Sequence, residues 1–164
     1  MYNPAVAGAY PELHATLLHR SQWVGIDGAP STSNLNAHAY VGQIRGGVGI
    51  NVLNDRAGMF SAKTISLSYG YQLGLGPHHQ LGMGLSFGLM QYGYDGQWVT
   101  PDQTSDAFLP PSNSSKSVPD FGLGFYLTSE NYYLGLSATH IIPMEVDFNG
   151  TATYNQARHY YFLA

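Results

Sequence analysis

The residues with chemical potential are few, and their spacing works against them. Of the 7 histidines, His78 and His79 are adjacent in a short connection, where extended backbone sends them to opposite sides. Zinc needs three or four converging ligands, and neither histidine has a Cys, Asp or Glu within a few residues. His14, His19, His38, His140 and His159 are spread over several segments and read as interface or lumen residues. The chain has no cysteine, which excludes disulfides and thiolate metal sites. No Gly-x-Ser-x-Gly or other Ser/His/Asp grouping marks a nucleophile.

Acidic residues gather in the connections: Asp27, Asp55, Asp95, Asp102, Asp106, Asp120, Glu145 and Asp147. They lack the Asp-x-Asp-x-Asp-Gly spacing of a calcium loop and read as solvated acids. Gly82-Met83-Gly84-Leu85-Ser86-Phe87-Gly88 resembles a phosphate loop only superficially, because its glycines lie inside a strand pattern instead of opening a helix. These residues give no signal for bond chemistry, and the expectation is no metal and no cofactor.

Composition points to an unusual solvent. The chain of 164 residues, enough for one domain, is 44% hydrophobic and only 10% charged, against about 25% charged for an average soluble domain. Tyrosine (13) and glycine (20) stand where Lys and Glu are expected. Only 6 residues are Lys or Arg, too few for the basic footprint that nucleic acid requires. No apolar run is long enough for a membrane-spanning helix, and Met1-Tyr2-Asn3-Pro4 does not open a secretory signal.

The elements that must position any site are strands. Period-two alternation sets Ile65, Leu67, Tyr69, Tyr71, Leu73 and Leu75 against Thr64, Ser66, Ser68, Gly70, Gln72 and Gly74. It recurs over 34–41, 46–53, 81–90, 121–128 and 132–140, more weakly over 13–20, and begins again at His159. No segment has a convincing helical period. Between these runs, long connections (21–33, 54–63, 91–120, 141–158) alternate with short ones (42–45, 76–80, 129–131). In an up-and-down sheet this sorts long loops to one end and short turns to the other, as in outer-membrane barrels.

The polar face is Ser, Thr, Gly, Asn and Gln, with Arg45, Arg56, Lys63, Lys116 and Arg158 kept mainly to loops and turns. An uncharged polar face suits a lumen. An apolar one suits lipid, where a mid-bilayer Lys or Arg costs roughly 2–4 kcal/mol. Trp23, Tyr40, Tyr92, Tyr94, Trp98 and Tyr132 are expected to form interfacial girdles. Gly82, Gly84 and Gly88 share one face, as do Gly122 and Gly124. Relief of barrel curvature explains such glycines, and so does a plug segment or partner peptide packed on a smooth inner wall. The fold class expected is all-β, an antiparallel up-and-down transmembrane β-barrel with about 8 strands in view.

The residues NPAVAGAY, followed by LLHRSQWVGIDGAPSTSNLNAHAY, resemble the start of the PorP/SprF family of type IX secretion system membrane proteins. The resemblance continues through GGVGINVLNDRAG, LGMGLSFGLMQYGYDG, PDFGLGFYLTSENYYLGLSATHI and RHYYFLA, with Trp23-Val24-Gly25 its most specific part. It implies a non-enzymatic outer-membrane β-barrel of the secretion and gliding machinery. The implied partners are outer-membrane lipid, the machine's periplasmic ring and lipoprotein components, and the C-terminal domain of a secreted adhesin or other cargo. Family chains are longer at both ends, so residues 1–164 are expected to be a single barrel domain incomplete at both ends.

Within that frame residues 21–33 are the first external loop, with Trp23 at the membrane boundary and Asp27-Gly28-Ala29-Pro30 shaping the turn. Trp23 there serves as a girdle anchor, or else the loop docks cargo together with Asn54-Asp55 and Tyr94-Asp95-Gly96. The competing functions are a passive porin or small-ligand channel, which the nearly uncharged inner face disfavours, and a soluble lipid-carrying barrel.

Overall fold

A computed structural model describes residues 3–94, 114–148 and 152–164. Their strands are β1 (His14–Ser21), β2 (Ser31–Val41), β3 (Gly46–Ala57), β4 (Phe60–Gly74), β5 (His79–Tyr94), β6 (Ser114–Ser129), β7 (Tyr133–Thr139), β8 (Glu145–Phe148), β9 (Ala152–Asn155) and β10 (His159–Leu163). Eight of them form one antiparallel sheet in the order β1-β2-β3-β4-β5-β6-β7-β10. The sheet curls into a half-barrel with up-and-down connections. β8 and β9 pair separately inside the connection from β7 to β10.

The faces divide as the alternation predicts. On the convex side Leu67 is 58% exposed and Leu85 66%, while Gly70, Gly84, Gly122 and Gly124 on the concave side are buried. An apolar face turned outward suits hydrocarbon, since water would oppose about 25 cal/mol for each Å² of apolar surface left open. Among the described residues no helix is long and apolar enough to cross a membrane.

Strand register gives the apolar face a sharp upper edge. Leu17, Leu35, Val52, Ile65, Leu89 and Pro119 are successive cross-strand partners and form the last apolar row. Two positions further along every strand the row reads His19, Ser33, Asn54, Lys63, Gln91 and Ser117, and the next reads Ser21, Ser31, Arg56, Ser61, Gly93 and Ser115. Below the edge the apolar face runs from Ile65 to Leu73 on β4 and from Leu81 to Leu89 on β5. That length meets the 9–11 residues or so that a tilted strand needs to cross the hydrocarbon.

This polar collar corrects several expectations. Asn54 and Asp55 are strand residues of β3, not loop residues, and β3 turns into β4 through Gly58 and Met59 alone. One connection on the long-loop side is therefore the tightest in the sheet, so long and short do not alternate throughout. Alternation of apolar with polar stops at the collar, yet the backbone ladder continues, because antiparallel pairing needs only neighbouring N–H and C=O groups. Arg56, Lys63 and Lys116 accordingly lie on strands instead of in loops, though above the apolar band. Tyr94 ends β5, while Asp95, Gly96, Trp98, Asp102 and Asp106 fall outside the described residues. Tyr92 is no girdle residue: it faces the concave side, 5% exposed, and packs with Phe60, Ala62, Met90, Tyr94 and Val118.

Candidate functional site

The concave wall is occupied by the chain's own residues Asn3–Gly8. Asn3 caps a single 3-10 turn, Pro4–Val6, by accepting a 2.9 Å hydrogen bond from the Ala5 amide. Proline suits the first position of such a turn, where its missing N–H has no partner to lose. Asn3 also donates through Nδ2 to the Phe125 carbonyl at 2.9 Å, so its amide joins the turn to β6. From β4, Gln72 Nε2 donates to the carbonyls of Ala5 (3.0 Å) and Ala7 (2.8 Å). Gln80 Nε2 in turn donates to Gln72 Oε1 at 3.3 Å, which orients that amide. Ala5 and Ala7 are fully buried and Asn3 is 2% exposed.

Glycine makes the close approach possible. A methyl group at Gly84 would collide with the Pro4–Ala5 backbone, one at Gly47 with Gly8, one at Gly70 with the Ala7 carbonyl, and one at Gly124 with the Asn3 amide. At Gly82 it would lie 2.6 Å from the Ala5 carbonyl oxygen. Backbone lying against backbone leaves no room for a side chain on either surface. Of the two explanations for the glycine faces, the packed segment is the one seen along Gly82, Gly84 and Gly124. Gly88 and Gly122 instead lie under the neighbouring side chains of Ser66 and Ser86. Asn3 and Gln72 were not legible as site residues. The only signals were the small-residue run after Asn3 and the polarity of Gln72.

A second feature stands above the collar. Residues 22–30 connect β1 to β2 and are closed by the Gln22 amide donating to the Pro30 carbonyl at 2.9 Å. The amides of Ile26 and Ala29 donate to the carbonyls of Trp23 (3.2 Å) and Ile26 (3.1 Å). The Gly58 amide at the β3–β4 tip donates to the Gly28 carbonyl at 2.8 Å, clipping the loop to the neighbouring hairpin. Trp23, Val24 and Ile26 are 69%, 84% and 62% exposed.

Trp23 carries a φ of 49°, a backbone state that costs a bulky residue about 1–3 kcal/mol and that clusters at functional sites. The loop leaves β1 at Ser21, about 13 Å of strand beyond Leu17 in the last apolar row. Two polar rows lie between the strand end from which this loop springs and the last apolar row.

The remaining candidates divide. Asp27 and Gly28 share the loop with Trp23. Asp55 turns to the concave side and accepts from Thr32 Oγ1 at 2.5 Å, whereas Asn54 lies in the outward collar row, so the two do not form one patch. His140, with a φ of 56°, pairs through Nδ1 with Asp120 Oδ1 at 2.7 Å, both largely buried, and Gln156 Nε2 lies 2.6 Å from the same nitrogen. His78 meets Glu130 at 2.8 Å, joining two of the short turns. Among the described residues no group of three or more His, Cys, Asp or Glu is placed to hold a metal ion.

An outward apolar band, a polar inner wall and a sheet with up-and-down connections are the features a membrane barrel component requires. The family described as type IX secretion system membrane protein PorP/SprF matches residues 1–164. The chain belongs to the PorP/SprF family. Neither a curated relative nor a solved structure matches it. As a PorP/SprF protein it is a type IX secretion membrane component of all-β fold, and the family is one of secretion-system parts, not of enzymes.

Proposed function

We propose that this chain works without bond chemistry, as an outer-membrane scaffold of the type IX secretion and gliding machinery that holds specific cargo through its external loop. The observation that carries the reading is the trio Trp23, Val24 and Ile26, exposed on a clipped loop above two polar rows. Exposed large apolar groups held rigidly over a polar rim are the pattern of a protein docking site. The partner fitting this role is the C-terminal domain of a secreted adhesin or similar cargo, with the machine's periplasmic and lipoprotein components engaging the opposite end.

The occupied concave wall argues against a passive porin, because the space a solute would cross holds Asn3–Gly8.

Trp23→Ala in the full-length protein tests the docking role. The barrel should assemble normally while surface delivery of the cargo adhesin falls; unchanged delivery by an assembled barrel ends the docking proposal. Conductance in planar bilayers tests the channel: the scaffold predicts silence, and a robust steady current would favour the porin.

A further inference from the structure

We infer that the concave wall is a peptide-binding groove whose resident ligand is the chain's own Asn3–Gly8 segment, and that it accepts in trans a peptide of the same chemistry. That chemistry is Asn-Pro followed by small residues at the third and fifth positions and glycine at the sixth. The inference is independent of the external loop.

Three observations converge on it. Recognition is by main chain: Gln72 reads the carbonyls of Ala5 and Ala7, and the groove reads one side chain, Asn3, through the Phe125 carbonyl. Seats for anything larger are closed, since Ala5 and Ala7 are fully buried and the opposing wall is the backbone of Gly84 and Gly70. Finally the segment contributes no strand to the eight-stranded sheet and reaches β1 through the exposed residues Tyr10–Leu13. Such an element occupies its groove as a tethered ligand. A short tether supplies an effective concentration in the millimolar range, so the resident segment excludes a free peptide of equal contacts.

The experiment uses the full-length protein in detergent and a fluorescent peptide, Asn-Pro-Ala-Val-Ala-Gly-Ala-Tyr. Ala5→Trp with Ala7→Trp enlarges the resident segment beyond its seats and vacates the groove. The peptide is expected to bind that chain at least about tenfold more tightly than the unaltered one, by relief of tethered competition, and Gly84→Val in the same chain should abolish binding. Equal binding by both chains, no binding to the folded double variant, or binding that survives Gly84→Val overturns the inference.

Should the double variant fail to fold, hydrogen exchange in the unaltered chain decides. The amides of Ala5, Val6 and Ala7 should exchange at least about tenfold more slowly than those of Glu12 and Leu13, and Gln72→Ala should remove the difference. Exchange at Ala5 and Ala7 as fast as in the tether, or protection indifferent to Gln72→Ala, means that no seated ligand exists.

Discussion

The side-chain amide of Asn3 donates to the carbonyl of Phe125 at 2.9 Å, across a separation of 122 positions. The same amide's oxygen caps the Ala5 N–H, so one buried side chain serves both the turn and the wall. Asn3→Asp keeps the cap and loses the donation, whereas Asn3→Ala loses both. Each leaves buried groups unsatisfied at about 1–3 kcal/mol, and Asn3→Asp adds a desolvated charge. Urea unfolding of the refolded protein should show both variants weakened. Equal stability with the native chain would mean the segment contributes nothing to the fold.

Gly84 and Gly74 make a matched pair. A methyl at Gly84 meets the Pro4–Ala5 backbone, while nothing lies within 4 Å of one at Gly74. Gly84→Ala should destabilise by about 1–3 kcal/mol, as overpacking does, with faster proteolysis near residues 3–9. Gly74→Ala should be neutral. Similar behaviour of the two variants would contradict the close approach.

Face identity should govern tolerance of charge. Leu67 and Ser68 are neighbours on opposite faces of β4, and Leu67 points outward, 58% exposed. Leu67→Arg should impair assembly into bilayers by roughly 2–4 kcal/mol, read from the gel shift between folded and heat-denatured protein. Ser68→Arg should cost less, since its guanidinium reaches a polar lumen. Natural Lys63, two positions above Ile65 in the last apolar row, marks where charge becomes acceptable. A gel shift that responds equally to both substitutions would remove the lipid assignment.

His140 and Asp120 hold the start of the connection that follows β7. Their 2.7 Å contact is largely buried, and the adjacent Ile141 amide donates to the Phe121 carbonyl at 3.1 Å. Asp120→Ala should leave His140 short of its partner and loosen the connection by about 1–3 kcal/mol, seen as faster exchange of the Ile141 amide. Unchanged exchange there would assign the hold to the backbone alone.

Local alternation was enough to place β2, β3, β4, β5, β7 and β10 within a few residues and to say which face is apolar. At β1 the adjacent leucines Leu17 and Leu18 blurred the register. Ile65, Leu67 and Tyr69 against Ser66, Ser68 and Gly70 report their faces to nearest neighbours, because successive side chains in a strand point to opposite sides. The pattern fell silent at Asn54–Lys63 and at 114–120, where both faces are polar or mixed, so those strand ends read as loop.

By itself, then, the order of residues determined the outward apolar band and the mostly polar inner wall, since each is a short-range property of strand geometry and side-chain polarity. Only the tertiary structure decided that the loop of Trp23 springs from a strand end two polar rows beyond the last apolar row and that Asn3–Gly8 fills the glycine track. Those facts depend on which residues become cross-strand partners. Partnership between positions such as Asn3 and Phe125 is settled by curling the sheet around the segment, through contacts that no local window of sequence contains.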